Sequence, residues 1–202
     1  MKSCIILCGG RGRRMGKDKG TLFFHGQTLL QRVLNSLPPL DEIILVLRDE
    51  KQEQAYQQIL RDFKGELRVV LDRERDQGPL LGILSGLEAL KSDHALIIPC
   101  DSPCISPHFV EEMLEHPLED YQALVPRWSD GRTEPLHAVY SKEDVLPVIE
   151  KIIQQGRRDV QSIFNQLKVL YLDAESLDPG GNTFLNLNRL QDVEVLEKKK
   201  LK

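Results

Sequence analysis

Four short apolar runs, separated by segments of helical period, dominate the first 115 residues and restrict what this chain can fold into. The runs are Ser3-Cys4-Ile5-Ile6-Leu7, Glu42-Ile43-Ile44-Leu45-Val46-Leu47, Leu67-Arg68-Val69-Val70-Leu71 and Ala95-Leu96-Ile97-Ile98-Pro99. Continuous apolar runs of strand length suit parallel strands covered on both faces. Between them, Leu29, Leu30, Val33, Leu34 and Leu37 recur at helical spacing, as do Ala55, Ile59, Leu60 and Phe63. Leu80, Leu81, Ile83, Leu84, Leu87 and Leu90 make the most apolar helix. Strict alternation of strand and helix builds a parallel sheet through right-handed crossovers.

The second half is less regular. Ser106-Pro107 starts a helix, with Ser at the N-cap and Pro at the first helical position. Ala123–Pro126 and Leu136–Tyr140 are short strands, and the turn Ser129-Asp130-Gly131 between them allows an antiparallel placement. A helix carrying Val145, Val148, Ile149, Ile152 and Ile153 follows. Asp159 caps a short helix through Phe164, and Val169–Leu172 is the last strand. At 202 residues, with no repeat or linker, the chain reads as one α/β domain spanning 1–202. Its sheet is expected to be mostly parallel, with an antiparallel strand in the C-terminal half.

Composition excludes several classes. With 27 basic and 31 acidic residues and a net charge of −4, the chain is no wholly basic nucleic-acid binder. Aromatics, at 5%, are too few for a stacking platform. No run approaches the ~20 apolar residues of a membrane span. The first apolar run is too short for a signal-peptide core, and Gly9-Gly10-Arg11 follows it instead of a small-residue cleavage site. A cytoplasmic, reducing setting is expected. Cys4, Cys8, Cys100 and Cys104 then read as reduced, partly buried thiols. Cys4-x3-Cys8 on a strand is too stretched for a zinc knuckle.

The first strand runs into Gly9-Gly10-Arg11-Gly12-Arg13-Arg14-Met15-Gly16-Lys17-Asp18-Lys19. A loop there lies at the carboxyl edge of a parallel sheet, where ligands bind. Glycines let backbone N–H groups approach an anion closely. Residues 11 to 19 carry five cations and one anion, a local charge of +4. These features indicate polyphosphate binding. The dinucleotide fingerprint fails because Met15 stands where its third glycine belongs. The P-loop fails because five residues, not four, separate Gly10 from Gly16-Lys17, and Asp18 follows instead of Ser or Thr. What remains is Leu-x-Gly-Gly-x-Gly-x-Arg-Met-Gly-x-x-Lys.

With that signature the chain resembles the nucleotidyltransferases, and among them most closely the molybdenum cofactor guanylyltransferases. Further matching pieces occur in order: Gly78-Pro79-Leu80-Leu81-Gly82-Ile83, Pro99-Cys100-Asp101-Ser102-Pro103, Glu134-Pro135-Leu136-His137-Ala138-Val139-Tyr140 and Asn186-Leu187-Asn188. The resemblance implies a three-layer, Rossmann-like nucleotidyltransferase fold. It also implies transfer of GMP from GTP to the phosphate of molybdopterin, or molybdenum-molybdopterin, with Mg²⁺ as cofactor. Residues 1–115 would then form a nucleotide-binding half and 116–202 an acceptor-binding half.

Several residues are singled out on this basis. Leu7, Cys8, Gly9, Gly10, Arg11 and Gly12 would admit the phosphates, and Arg14 and Lys19 would stabilise their charge. Asp101 is a hard carboxylate at the same edge and suits Mg²⁺ or a turn cap; the resemblance implies the metal. Asp72 suits a ribose hydroxyl or the guanine N–H edge, or is a surface acid. Gly78, Pro79 and Leu80 would offer backbone groups to a base or start a helix. Asn186 and Asn188 alternate with Leu185 and Leu187; the resemblance places them near the metal and the acceptor phosphate, and assigns Glu134 to the acceptor half. Glu134, Arg132, His137, Arg157 and Arg158 read first as a solvated face, and the resemblance implies that cations in this half would suit an anionic acceptor. Departures from the family are Cys8, Leu47-Arg48-Asp49 where an asparagine is expected, and Arg189-Leu190-Gln191-Asp192 after Asn188. A CTP-dependent relative, another phosphorylated acceptor and an inactive nucleotide-binding module stay open on the residues alone. So do protein partners such as molybdoenzymes or other cofactor-biosynthesis proteins.

Overall fold

A computed structural model describes residues 1–8, 18–72 and 78–187. One seven-stranded sheet organises them. Its first four strands in chain order are β1 (Ser3–Leu7), β4 (Glu42–Leu47), β5 (Arg68–Leu71) and β6 (His94–Pro99). They pair in parallel in the order β5-β4-β1-β6. The minor hairpin β2 (Phe23–Phe24) and β3 (Gln27–Thr28) lies between β1 and β4 in the chain. It turns on His25 and Gly26, both at positive φ.

The C-terminal strands are β7 (Ala123–Arg127), β8 (Val139–Ser141) and β9 (Val169–Asp173). They extend the sheet as β6-β8-β7-β9, with β8 antiparallel to both neighbours and β9 parallel to β7. The α/β class and the single reversed strand agree with the sequence reading. The reversed strand is shorter than the 136–140 run suggests. Pro135 has no N–H to give a ladder, and His137 N–H turns back to the Glu134 carbonyl at 3.0 Å. Leu67–Leu71 also differs from expectation: it becomes an edge strand, and Leu71 stays 39% exposed.

Helices cover both faces. Cys4, Ile6 and Cys8 point to one face and Ile5 and Leu7 to the other, the period-two alternation of a strand buried on both sides. The first face packs on α1 (Leu29–Ser36), α2 (Glu50–Asp62), α4 (Pro107–Glu115) and α6 (Ala174–Leu177). The second packs on α3 (Pro79–Ala89) and α5 (Lys142–Gln154). A capping box between Thr28 and Gln31 starts α1, and Asp49 caps α2 by accepting from Gln52 N–H at 2.9 Å. Ser106 precedes α4 as expected but makes no side-chain cap; its N–H donates to Thr183 Oγ1 at 3.0 Å. In α2 the buried face is Gln52, Tyr56 and Ile59, whereas Ala55 is exposed. Ile59, Leu60 and Phe63 of the predicted stripe pack on the core, but Ala55 does not, and the first half of the helix turns Gln52 and Tyr56 toward the sheet instead. Asp159 caps a 3₁₀ helix, Val160–Gln166.

Candidate active site

The carboxyl ends of the four parallel strands form one edge. The ladder continues one residue past three of them: Cys8 N–H donates to Val46 O at 2.9 Å, Asp72 N–H to Leu47 O at 2.7 Å and Cys100 N–H to Leu7 O at 3.0 Å. Asp101 follows directly. Onto it comes Lys19, from the 3₁₀ turn Lys19–Thr21, with Nζ 2.6 Å from Asp101 Oδ2. The contact is partly shielded, the lysine and aspartate side chains being 28% and 14% exposed. Two of the three residues singled out for catalysis thus meet.

Ser102 extends this centre into the C-terminal half. It is fully buried, and its hydroxyl donates to Asn186 Oδ1 at 2.7 Å and lies 3.0 Å from His137 Nε2. Leu187 N–H donates to the Asp101 carbonyl at 2.9 Å, so the segment bearing Asn186 is fastened to the aspartate turn. His137 is 1% exposed and ringed by Phe109 and Phe184. It is not part of a solvated face. Burial pushes its pKa down to about 3, against the opposing influence of the Thr183 backbone, and so keeps the imidazole neutral. Glu134 Oε2 lies 3.9 Å from His137 Nδ1, while Glu134 Oε1 accepts from the Trp128 indole at 2.7 Å. Partial burial raises the Glu134 carboxyl above its ordinary range, more than Trp128 lowers it. Glu134, His137, Ser102 and Asn186 therefore form a chain of neighbours ending beside Asp101.

The remaining expected residues fall as follows. Leu7 and Cys8 are core side chains, and burial pushes the Cys8 thiol up, helped by neighbouring Cys100. Asp72 accepts from Ser85 Oγ at 3.2 Å and lies along the first half of α3. Gly78 stands at the N-cap of α3 with φ +96°, a conformation that favours glycine, and Pro79 follows at the first helical position. Gly78 and Pro79 are exposed and Leu80 is buried. Gly9, Gly10, Arg11, Gly12, Arg14 and Asn188 lie outside the described residues. Arg132 pairs with exposed Asp130 at 2.7 Å, and Arg157 with Asp159 at 3.6 Å, both solvated.

Sequence reasoning passed over Asp18, Gln52, Tyr56 and Ser102. Gln52 Nε2 donates to the Cys8 carbonyl at 2.6 Å and to Asp18 Oδ2 at 2.7 Å. The available signal was a glutamine and a tyrosine four apart, sharing a helix face with Ile59.

Known proteins resemble the chain over nearly its whole length. A family model, the MobA-like NTP transferase domain, matches residues 4–170. A probable molybdenum cofactor guanylyltransferase from Methanosarcina mazei is 38% identical, with 96% of this chain and 88% of that protein aligned. One of the same description from Methanothermobacter thermautotrophicus is 36% identical, over 96% and 98%. The crystal structure of molybdopterin-guanine dinucleotide biosynthesis protein A from Archaeoglobus fulgidus superposes with a TM-score of 0.81 at 26% identity, covering 98% of each chain. The sheet order, the charged pair on its carboxyl edge and these likenesses agree: the chain belongs to the family of MobA-like nucleotidyltransferases.

Proposed function

We propose that the protein transfers GMP from GTP to the terminal phosphate of molybdenum-bearing molybdopterin, forming the guanine dinucleotide cofactor and pyrophosphate. The observation that carries this reading is the Lys19–Asp101 contact on the ligand edge, in a chain whose full-length relatives are named guanylyltransferases. An acceptor phosphate oxygen attacks the α-phosphorus of GTP. The bond to the bridging oxygen breaks, and its electron pair leaves with pyrophosphate. The attacking phosphate is already ionised, so no strong general base is required. Alignment and neutralisation of developing charge supply the catalysis. Lys19 is the cation for that charge, with Arg14 as its partner.

Asp101 fits a magnesium ion. Its carboxylate is a hard oxygen donor at the carboxyl edge of the sheet, and Mg²⁺ is held through one or two such carboxylates while it keeps several waters and takes further ligands from substrate phosphates. When bound there, the ion lowers the charge on the departing pyrophosphate. Asp72 and the Gly78-Pro79-Leu80 helix start face the nucleoside in this scheme, on the 1–115 half. Glu134, Asn186 and Asn188 serve the acceptor, on the 116–202 half. The neighbour chain from Glu134 through buried His137 and Ser102 to Asn186 supports that division, since it ties the second half to the Asp101 turn. GTP is a cytoplasmic nucleotide, and we place the reaction there; among the described residues no helix is long and apolar enough to cross a membrane.

The deciding experiment incubates the protein with Mg²⁺, molybdopterin and GTP labelled at the α-phosphorus, with labelled CTP in parallel. Label is expected in the pterin product from GTP, together with released pyrophosphate. Transfer from CTP alone, or no transfer, overturns the reading.

A further inference from the structure

The buried face of α2 carries two polar side chains directed at the stretch that bears Lys19. Gln52 is 2% exposed and Tyr56 fully buried. Glutamine is rarely found so deep, and a buried amide needs every hydrogen bond filled. Gln52 meets that requirement. Its Nε2 donates to Cys8 O and to Asp18 Oδ2, and its Oε1 accepts from Arg48 N–H at 2.6 Å. Tyr56 donates its hydroxyl to Asp18 Oδ1. Burial raises the phenol pKa, so the group remains a donor.

Asp18 passes this grip to the turn that follows. Its Oδ1 accepts from Gly20 N–H at 3.3 Å, and its carbonyl accepts from Thr21 Oγ1 at 2.8 Å and Thr21 N–H at 3.2 Å. Lys19 lies inside that turn. Gly20 interlocks with the same tyrosine: a Cβ there would stand 2.3 Å from the Tyr56 hydroxyl oxygen. Cys8 and Asp18 are also the described residues on either side of the glycine-rich segment 9–17. A single amide therefore ties both flanks of that segment to α2.

We infer that Gln52 and Tyr56 are positioning residues for phosphoryl transfer: through Asp18 they fix the Lys19–Thr21 turn and so set where the lysine ammonium stands relative to the α-phosphate. The inference rests on the role given to Lys19 above. Neither side chain needs to touch substrate. A residue that acts through another is recognised by non-additivity, because its removal costs little once the second residue is gone.

The test is a double-mutant cycle of Tyr56→Phe and Lys19→Ala. Tyr56→Phe deletes one oxygen and keeps the ring. In the wild-type background it is expected to lower kcat about tenfold, with KM for GTP raised no more than about threefold; in the Lys19→Ala background the further loss should be under about twofold. The same cycle read on GTP affinity by calorimetry, in Mg²⁺, stands independently of the acceptor: Tyr56→Phe alone should weaken binding about threefold, and add almost nothing to Lys19→Ala. Asp18→Asn, run through both backgrounds, covers the case in which Tyr56→Phe folds poorly. Equal fold losses in the two backgrounds, or no loss in the first, overturn the inference. Wild-type turnover and affinity in Lys19→Ala alone overturn instead the role of the lysine, and this inference falls with it.

Discussion

Lys19 and Asp101 are 82 positions apart, yet their charged groups are in contact, partly shielded from water. In that setting each charge acts more strongly on a phosphate than it would in bulk water. Removing one preorganised electrostatic partner typically costs about 10²–10³ in rate. Lys19→Ala and Asp101→Ala are each expected to lose that much in turnover while keeping the wild-type circular dichroism spectrum. Near-wild-type turnover in either variant would remove the assigned role from that residue. Asp101 could be singled out because it stands just after a strand-length apolar run in a parallel α/β pattern, whereas Lys19 was singled out among five cations by the family resemblance that its glycine-rich signature carries. Gln52 and Tyr56 were not, because their importance lies in what Asp18 does with their hydrogen bonds.

Among the elements, α3 decides how closely a helix can approach β1 and β4. Gly82 and Gly86 lie one turn apart on the face that meets β1 and β4. A Cβ on Gly86 would come within 2.5 Å of Ile5 Cγ2 and 3.2 Å of Val46 Cγ2, and both neighbours are fully buried. Gly86→Ala sets two effects against each other. Alanine gains about 1 kcal/mol of helix propensity, but overpacking a tight core costs about 1–3 kcal/mol. The steric term prevails here, because Ile5 is covered on every side. A net loss of up to about 2 kcal/mol is expected in urea unfolding; unchanged or higher stability would show that α3 can shift away from β1. The apolar character of α3 was plain from its leucines. Its distance from the sheet was not, since glycine's meaning depends on what stands opposite.

At the scale of the molecule, His137 sits where the Asp101 turn, α4 and the segment through Phe184 come together. Its pKa is held down to about 3 by burial, so the folded state refuses a proton that the unfolded chain takes up below about pH 6.5. The stabilisation is therefore complete above pH 6.5 and is lost progressively as pH falls toward 3. The slope for one such site is about 1.4 kcal/mol per pH unit, so about 2 kcal/mol disappears between pH 6.5 and pH 5. His94, lowered mainly by burial, pulls the same way, whereas Glu134, raised mainly by burial, works in the opposite sense. Comparing urea unfolding of the wild type with His137→Asn at pH 7 and pH 5 cancels both. The variant should lose about 2 kcal/mol less over that interval; an identical drop would mean that His137 does not titrate as its burial requires.

The alternation of apolar runs with helical periods is sufficient by itself to determine a mostly parallel α/β sheet, and the residues that follow its strands, Asp101 among them, single out the carboxyl edge as the candidate site. Both are local facts: strand period, helix period and the residue types that follow a strand can be read in a window of a few residues. Tertiary structure alone decided that β5 lies at the sheet edge, that α2 turns Gln52 and Tyr56 inward, and that Ser102 joins His137 to Asn186. Those outcomes depend on pairs separated by tens of residues, and a buried polar group declares its partner only when the chain has brought the two within hydrogen-bonding distance.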